Sequence, residues 1–283
     1  LGWGYNYHES DIQKSIAAYE KAFSLKKDEP VYYAELDVLY EKNNTPLATR
    51  AKLFESANDV VKQRDDAFVR QILVLNLTGQ PEKSVEYLEK STFHFREGSS
   101  RISDMTVDAR LLFGNKLMKE GKNQQALEQF LLAMKREAED ERAGARDPQI
   151  NYFAGLAYEA LGEKKKAKSC FEKSVSQDLQ RIGTVSYYQA LSLQKLGNQQ
   201  KSSEIFHKLV DEGNQMLESS AEPDFFAKFG ERSTGNARLS NARLLIGLGY
   251  KGLGETGKAK ENLEQAISLS VSNLWAAVEL EGM

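Results

Sequence analysis

The stretch NYFAGLAYEALGEKKKAKSCFEKSVS, residues 151–176, decides how the rest of the chain is interpreted. In its first half, apolar residues recur every three or four positions until Gly162 breaks the pattern. The recurrence then resumes with Ala167, Phe171 and Val175. Such spacing places one apolar stripe on each of two helices. Because one helix pair cannot bury its own stripes, the stretch predicts a protein of stacked helical repeats.

The same spacing occurs in four units along the chain. Each unit has a small residue followed twelve positions later by a second small residue. The pairs are Gly114 and Ala126, Gly155 and Ala167, Ala190 and Ser202, and Gly247 and Ala259. A weaker unit has Gly79 at its turn. An earlier one has Asn43 or Asn44 there, since asparagine tolerates the left-handed conformation that such a turn requires.

This pattern resembles the tetratricopeptide repeat (TPR), a unit of about 34 residues. The small residue, aromatic, turn glycine, alanine and second aromatic of that repeat correspond to Gly155, Tyr158, Gly162, Ala167 and Phe171. The resemblance implies an all-α fold, a right-handed α-solenoid of TPR helix–turn–helix repeats. We therefore expect a single array over residues 1–283, with about six units and a truncated first one.

The turn glycines indicate where the array departs from a regular repeat. Successive turn glycines lie 42, 41, 35 and 57 residues apart. They are Gly79, Gly121, Gly162, Gly197 and Gly254. The excess predicts insertions near 93–105, 135–147 and 211–238. Residues 271–283 then predict a capping helix or the start of another repeat.

Prolines predict several helix starts. Pro30, Pro46, Pro81 and Pro148 each precede a periodic segment, and proline at a first helical position loses no needed N–H. Helices should therefore begin near 30, 46, 81 and 148. Thr45 and Asp147 stand just before two of these segments and are the expected N-caps.

Composition limits the function classes. The chain has 283 residues, 41% hydrophobic and 28% charged, with a net charge of −3. That charge gives no basic footprint for nucleic acid. The longest apolar run, residues 244–250, is far too short for a membrane span. We expect a soluble protein of the bacterial cytoplasm or periplasm. Since the chain opens at Leu1 without a start methionine, we interpret it as a fragment.

A closer resemblance involves four short segments. They are LGWGYNYH at 1–8, ELDVLYEK at 35–42, VVKQRDD at 60–66 and HFREG at 94–98. They are similar to the C-terminal repeat region of large bacterial proteins of unknown function. Those proteins resemble polypeptides with an N-terminal β-rich part like sugar-binding or mutarotase-like domains. The resemblance implies that a partner of the repeats can be the N-terminal part of the same polypeptide.

Catalytic, metal and cofactor sites are not predicted. The three histidines, His8, His94 and His207, have no metal-ligand spacing with one another or with Cys170. Cys170 stands beside a core aromatic and is interpreted as a structural thiol. The glycines of segment 247–257 follow no strand and are explained by packing and turns. We therefore expect a non-enzymatic chain that needs no cofactor.

The TPR resemblance places binding residues on the first helix of each pair. Its concave-groove offsets select Asn115, Tyr152, Glu159, Tyr187 and Gln194, among others. An aromatic with a polar tip suits a wet binding surface. The clamp that holds C-terminal carboxylates in some TPR proteins needs a lysine at the position of Leu111, so that subclass is not expected.

Two inserted segments carry further candidate contacts. His94 and Arg96 lie in a compact aromatic and charged loop, which either plugs the solenoid edge or contacts a partner domain or a sugar-like ligand. A second cluster either packs on its own solenoid or forms a partner or dimer surface. It consists of Phe225, Phe226 and Phe229.

Two functions remain open at this point. The first is a non-catalytic protein–protein interaction scaffold that binds a peptide or partner domain in its concave groove. The alternative is an accessory repeat domain of a larger carbohydrate-acting or carbohydrate-binding protein, with the loop at 93–98 completing a site built elsewhere.

Overall fold

The structure, a computed structural model, describes residues 11–91, 100–135, 145–179, 181–219 and 235–283. Within these ranges it contains helices and no strand, which confirms the predicted all-α class. The helices are α1 (Ile12–Leu25), α2 (Pro30–Lys42), α3 (Leu47–Leu53), α4 (Asn58–Val61), α5 (Asp65–Leu77), α6 (Pro81–Glu89), α7 (Ser100–Lys119), α8 (Asn123–Ala133), α9 (Asp147–Ala160), α10 (Lys164–Ser176), α11 (Thr184–Lys195), α12 (Gln199–Ser219), α13 (Gly235–Gly252), α14 (Thr256–Leu269) and α15 (Leu274–Glu281).

The predicted helix starts are confirmed, whereas two predicted caps are wrong. Thr45 lies two residues before α3, and its amide donates to the carbonyl of Tyr40 at 2.8 Å. Asp147 is the first residue of α9 rather than its N-cap. The N-cap position is occupied by Pro46 in α3 and by Arg146 in α9, and neither makes a side-chain cap hydrogen bond. Side-chain caps occur instead at Asp11 and Asn273.

The turns between paired helices use the left-handed backbone, as predicted. All five turn glycines have φ between 71° and 82°. Asn44 takes the equivalent position after α2 with a φ of 52°. Glycine carries no Cβ to clash in this region, so it ends the first helix and lets the chain reverse at little steric penalty.

Small residues on the first helices make room for large ones on the second. A Cβ added to Gly155 would lie 2.4 Å from Cε1 of Phe171, and one added to Gly114 would lie 2.2 Å from Cε1 of Phe130. The position of Gly247 is similarly close to Leu263. The paired helices can approach this closely only because the Cβ is absent.

The chain divides into two compact units, unit 1 (Leu1–Ala109) and unit 2 (Arg110–Met283). In unit 1, α1 packs on α2, and α5 packs on α2, α3, α4 and α6. Its apolar core includes Leu36, Leu39, Val61 and Ile72.

An ion network is buried beside that core. Arg50 donates from Nε to Oδ1 of Asp37 at 2.7 Å, and both side chains have no solvent exposure. Arg70 donates to Oδ2 of Asp37 at 2.6 Å and to Glu41 at 2.7 Å. The single carboxylate of Asp37 thereby joins α2, α3 and α5. The two guanidinium groups satisfy the buried carboxylate, which would otherwise be strongly destabilising.

In unit 2 each helix pair contacts the next pair in sequence. Helix α9 packs on α10, α10 on α11, α11 on α12, α12 on α13 and α13 on α14. The first helices also contact one another in order, α9 with α11, α11 with α13 and α13 with α15. This nearest-neighbour stacking is that of an α-solenoid.

Candidate functional site

The first helices of unit 2 share one face, formed by α9, α11, α13 and α15. We call it the first-helix face and define it by Tyr152, Phe153, Tyr188, Trp275 and Glu279, whose side chains meet there. Of these five residues, Tyr152 is the one that the repeat offsets predicted as a binding residue.

A cluster of aromatic rings forms the floor of this face. Phe153 lies 5.7 Å from Phe130 and 5.3 Å from Tyr188, measured between ring centroids. Trp275 of α15 lies 5.8 Å from Tyr188 in an edge-on arrangement. The guanidinium of Arg146 lies 5.6 Å from the Trp275 ring. Edge-on and tilted ring contacts of this kind give a rigid floor with fixed side-chain positions.

Glu279 anchors α15 to the same floor. Its carboxylate accepts from the hydroxyl of Tyr188 at 2.8 Å and from Nζ of Lys251 at 2.9 Å. Lys251 also donates to the backbone carbonyl of Glu279 at 2.6 Å. Burial, with the nearby carboxylate adding to it, raises the pKa of the Tyr188 phenol well above its usual range. Tyr188 therefore stays protonated and remains a donor to Glu279.

Tyr152 is a predicted residue whose side chain stays partly accessible to solvent. Its ring is half-buried, 5.5 Å from Phe153, 6.2 Å from Phe171 and 5.8 Å from Tyr188. Burial, then Glu279, raises the pKa of its phenol. Neighbouring rings thus fix the side chain while part of it remains accessible.

Three further predicted residues, Glu159, Gln194 and Asn115, are exposed or partly exposed. Glu159 is exposed and accepts from Nζ of Lys195 at 2.6 Å, which joins α9 to α11. Gln194 is partly exposed on α11, next to that lysine. Asn115 is partly exposed on α7. The structure brings Glu159 together with the helix of Gln194, and it describes no direct contact between Asn115 and the other predicted residues.

Tyr187 differs from the sequence expectation. It is only 2% exposed, and its ring packs 5.3 Å from Tyr188 and 5.9 Å from Phe206. The repeat offset places Tyr152 and Tyr187 in equivalent positions, and each has the second-helix aromatic of its own pair beside it, Phe171 at 6.2 Å and Phe206 at 5.9 Å. The Tyr187 ring is therefore covered in this structure, and its role in partner binding remains a prediction.

Sequence reasoning missed the residues that form the floor. Phe153 and Tyr188 each follow a predicted groove residue by one position, and Trp275 and Glu279 belong to the predicted capping helix. The signal available in the sequence was an aromatic at the same offset in two consecutive repeats, Phe153 in one and Tyr188 in the next. Five predicted contacts lie outside the described residues: His94, Arg96, Phe225, Phe226 and Phe229.

Three further kinds of site concern the described residues: a metal site, a membrane span and a reactive thiol. No group of three or more histidine, cysteine, aspartate or glutamate side chains there could hold a metal ion. None of the helices described is both long and apolar enough to cross a membrane. Cys170 is buried, and burial raises the pKa of its thiol, while Lys173 lowers it by a smaller amount.

A family model described as tetratricopeptide repeat matches residues 148–181 and 240–271. The first match covers α9 and α10, and the second covers most of α13 and all of α14.

The matched segments, residues 148–181 and 240–271, are tetratricopeptide repeats.

Three solved structures are similar to this chain over most of its length. The C-terminal part of a TPR repeat-containing protein from Cytophaga hutchinsonii is 17% identical, with 96% of this chain and 95% of that chain covered and a TM-score of 0.42. The apo quorum sensor NprR from B. thuringiensis is 14% identical, with 94% and 84% covered and a TM-score of 0.48. Human IFIT1, as a dimer with PPP-AAAA, is 16% identical, with 95% and 71% covered and a TM-score of 0.39.

These likenesses assign no ligand to this chain, because identity and TM-score are both low. No curated protein matched the chain. The TPR assignment therefore rests on the family-model match and on the helix pairs themselves.

Proposed function

We propose that this chain is a non-catalytic protein-interaction scaffold, and that a peptide or partner domain binds to its first-helix face. The position of Tyr152 is the observation that carries this proposal. Three neighbouring rings hold its ring in place, and part of the side chain stays accessible. A preorganised tyrosine loses little conformational freedom when a partner covers it, which is typical of residues that dominate interface energies.

Helix α15 supports this choice of ligand. Within the first-helix face, α15 packs on α11 through one aromatic anchor, Trp275, and one carboxylate, Glu279. A partner segment that offers an aromatic or aliphatic anchor to Tyr152 would use the same chemistry. The Glu159–Lys195 pair would then lie at the polar rim, where charges affect orientation and association rate more than affinity.

The partner is a protein or peptide, and the N-terminal part of the same polypeptide remains one candidate. The alternative function, an accessory domain of a carbohydrate-acting or carbohydrate-binding protein, depends on the loop at 93–98. That loop lies outside the described residues, and this function stays a prediction.

A capture experiment with matched variants tests the proposal. The 283-residue chain and its Tyr152→Ala variant are immobilised, and proteins captured from a bacterial lysate are compared and then titrated individually. We expect Tyr152→Ala to weaken binding of the captured partner by about 1–3 kcal/mol, the range of interface hot spots. Tyr158→Ala, on the same helix beside Lys166, is the control and should bind as the unchanged chain does.

Circular dichroism separates lost binding from lost folding. A partner that binds Tyr152→Ala and the unchanged chain equally, with both fully helical, would contradict the assignment to this face.

A further inference from the structure

Unit 1 contains a cleft that the interaction function of unit 2 does not use. The cleft lies among α3, α4, α5 and α6 and has a volume of about 620 Å³. This is within the range of about 300–1,000 Å³ that ligand sites occupy. All of its residues belong to unit 1, whereas Tyr152 belongs to unit 2. An inference about this cleft therefore does not rest on the proposed function.

Two amide side chains that line the cleft have acceptors without a partner. Oε1 of Gln71 and Oδ1 of Asn58 are buried and accept no hydrogen bond from any described residue. Gln71 itself is only 4% exposed. An unpaired buried acceptor is destabilising, and native proteins keep few of them. Both acceptor atoms are covered in the structure, so a donor brought into the cleft reaches them once the amide groups turn about their terminal torsions.

The chemistry of these amides matches that of a peptide main chain. Each side-chain amide carries one carbonyl acceptor and two N–H donors, and a peptide bond carries one of each. The terminal torsions of Asn and Gln are broad, so either side of the amide can turn toward a bound chain. Gln71 lies on α5 and Asn58 on α4, so the two amides reach the cleft from different helices.

The remaining lining selects the side chains of such a peptide. Lys52 and Lys83 bring two positive charges to the cleft, and Glu55 brings one negative charge. The ammonium of Lys83 lies 5.9 Å from the centroid of the Tyr87 ring, and both residues line the cleft. Val74 and Leu75 add an apolar wall. The excess positive charge favours carboxylates, and the apolar wall favours an aliphatic side chain between them.

We propose that this cleft binds a short acidic peptide segment, whose main-chain N–H groups donate to Gln71 and Asn58 and whose carboxylates pair with Lys52 and Lys83. An aliphatic side chain of the segment packs on the apolar wall. The proposal gives these two acceptors a partner; elsewhere in the unit the buried Asp37 and Arg50 pair with each other, and the buried Oδ1 of Asn76, outside the cleft, is a third acceptor without a described partner.

The test uses the full chain and defined peptides. The probe is the capped peptide acetyl-Asp-Leu-Asp-Leu-amide, titrated to millimolar concentration into the nitrogen-15-labelled chain. We expect saturable shifts of the side-chain NH₂ resonances of Gln71 and Asn58. The N-methylated analogue has no main-chain donors and should bind at least tenfold more weakly. The analogue with lysine in place of aspartate should also bind at least tenfold more weakly. The absence of any saturable shift with the acidic peptide would overturn the proposal, as would equal binding of the N-methylated analogue.

A variant of Gln71 distinguishes a binding role from a structural one. Gln71→Met keeps the length of the side chain and removes the unpaired amide. We expect binding at least tenfold weaker together with an unchanged or higher Tm, because the variant no longer buries an unsatisfied acceptor. Gln63→Met, at an exposed glutamine of the same unit, is the control and should bind the peptide as the unchanged chain does.

The outcome for Gln71→Met decides between the two roles. A lower Tm with peptide binding intact would show that Gln71 is structural and would overturn the assignment. Should Gln71→Met not fold, Asn58→Ala, at the half-buried second amide, takes its place. Unchanged affinity of that variant would likewise overturn the proposal.

Discussion

At the scale of single residues, glycine has two different tasks in the helix pairs of unit 2. Gly162 has a φ of 77° and reverses the chain. Gly155 has no special backbone conformation, and its task is to leave space for the Phe171 ring. The two tasks predict different responses to substitution, since the first is a matter of backbone strain and the second of side-chain volume.

The close approach at Gly155 gives the first prediction. Gly155→Ala places a methyl group 2.4 Å from Cε1 of Phe171, so the ring or the helix must move. We expect a loss of about 1–3 kcal/mol from overpacking, partly offset by about 1 kcal/mol because alanine favours a helix. Chemical denaturation measures the net change.

Two variants check this reasoning. Gly257→Ala lies in α14 with nothing within 4 Å of the added Cβ, and it should leave stability unchanged or raise it. Adding Phe171→Leu to Gly155→Ala should recover part of the lost stability. If Gly155→Ala is as stable as the unchanged chain, the helices are not in the close contact that the structure shows.

Cys170 gives a second prediction at this scale. It is 8% exposed, and burial raises the pKa of its thiol. Because the reactive species is the thiolate, the folded chain should react with a thiol reagent at pH 8 far more slowly than the chain in denaturant. Equal rates in the two states would show that the thiol is accessible.

Sequence reasoning was sound for residues whose role is set by local geometry. The turn glycines and Asn44 follow from the left-handed conformation that a tight helix turn requires. The caps at Thr45 and Asp147 were predicted wrongly, because Pro46 itself occupies the N-cap position of α3 and Asp147 is already the first residue of α9. Local rules therefore identify the turn residue, whereas the structure is needed to show which residue occupies the N-cap position.

At the scale of elements, α15 connects more of unit 2 than its eight residues suggest. Trp275 contacts rings of α9 and α11, Glu279 contacts α11 and α13, and Glu281 accepts from Lys119 of α7 at 2.8 Å. The exposed Lys119–Glu281 pair contributes little. The buried contacts of Trp275 and Glu279 therefore hold α15 in place.

The Tyr188–Glu279 hydrogen bond gives a third prediction. Tyr188→Phe removes a donor to a carboxylate, so we expect the free energy of unfolding to fall by about 1.5–3 kcal/mol at pH 7. Tyr158→Phe, at a half-buried tyrosine under Lys166, is the control and should stay within about 0.5 kcal/mol of the unchanged chain. A Tyr188→Phe variant of unchanged stability would show that α15 is held by ring packing alone.

The pH dependence of the same bond has a definite sign. The folded pKa of Tyr188 is raised above its unfolded value of about 10. Its contribution to stability is therefore fully present below pH 10 and is lost as the pH rises above that value. Denaturation between pH 7 and 11 should show stability falling more steeply for the unchanged chain than for Tyr188→Phe.

The elements themselves were predicted better than their contacts. Proline and periodicity placed the helix starts near 30, 46, 81 and 148, and the structure has them at 30, 47, 81 and 147. Burial of Tyr187 was not predicted, because the equivalent Tyr152 is only half-buried although each tyrosine packs on an aromatic of its own helix pair. A repeat offset fixes which side of a helix a residue occupies, but not how much of its side chain solvent reaches.

At the scale of the whole molecule, the two units are stabilised by different means. Unit 2 relies on glycine-permitted helix contacts and an aromatic floor. Unit 1 buries an ion network in which Asp37 holds two arginines. This network had no signal in the sequence, because its members lie 13 and 33 positions apart and each looks like an ordinary surface charge.

The last prediction concerns this network. Asp37→Ala leaves Arg50, which has no solvent exposure, and the nearly buried Arg70 without their shared carboxylate. Breaking one partner of a buried ion pair destabilises a protein by about 3–5 kcal/mol, because the remaining charges stay desolvated. We expect unfolding at lower denaturant concentration and faster amide hydrogen exchange in α2, α3 and α5. Glu86→Ala, which breaks only an exposed pair with Lys90, should change stability by less than about 1 kcal/mol.

A triple variant separates buried charge from lost packing. The triple variant Asp37→Leu, Arg50→Met, Arg70→Met removes all three charges and keeps apolar volume in the core. Such replacements are often neutral or stabilising, although Glu41 then loses the partner that Arg70 supplies. We therefore expect the triple variant to be more stable than Asp37→Ala. If it is equally unstable, the network stabilises unit 1 through its hydrogen-bond geometry, and hydrophobic packing cannot replace it.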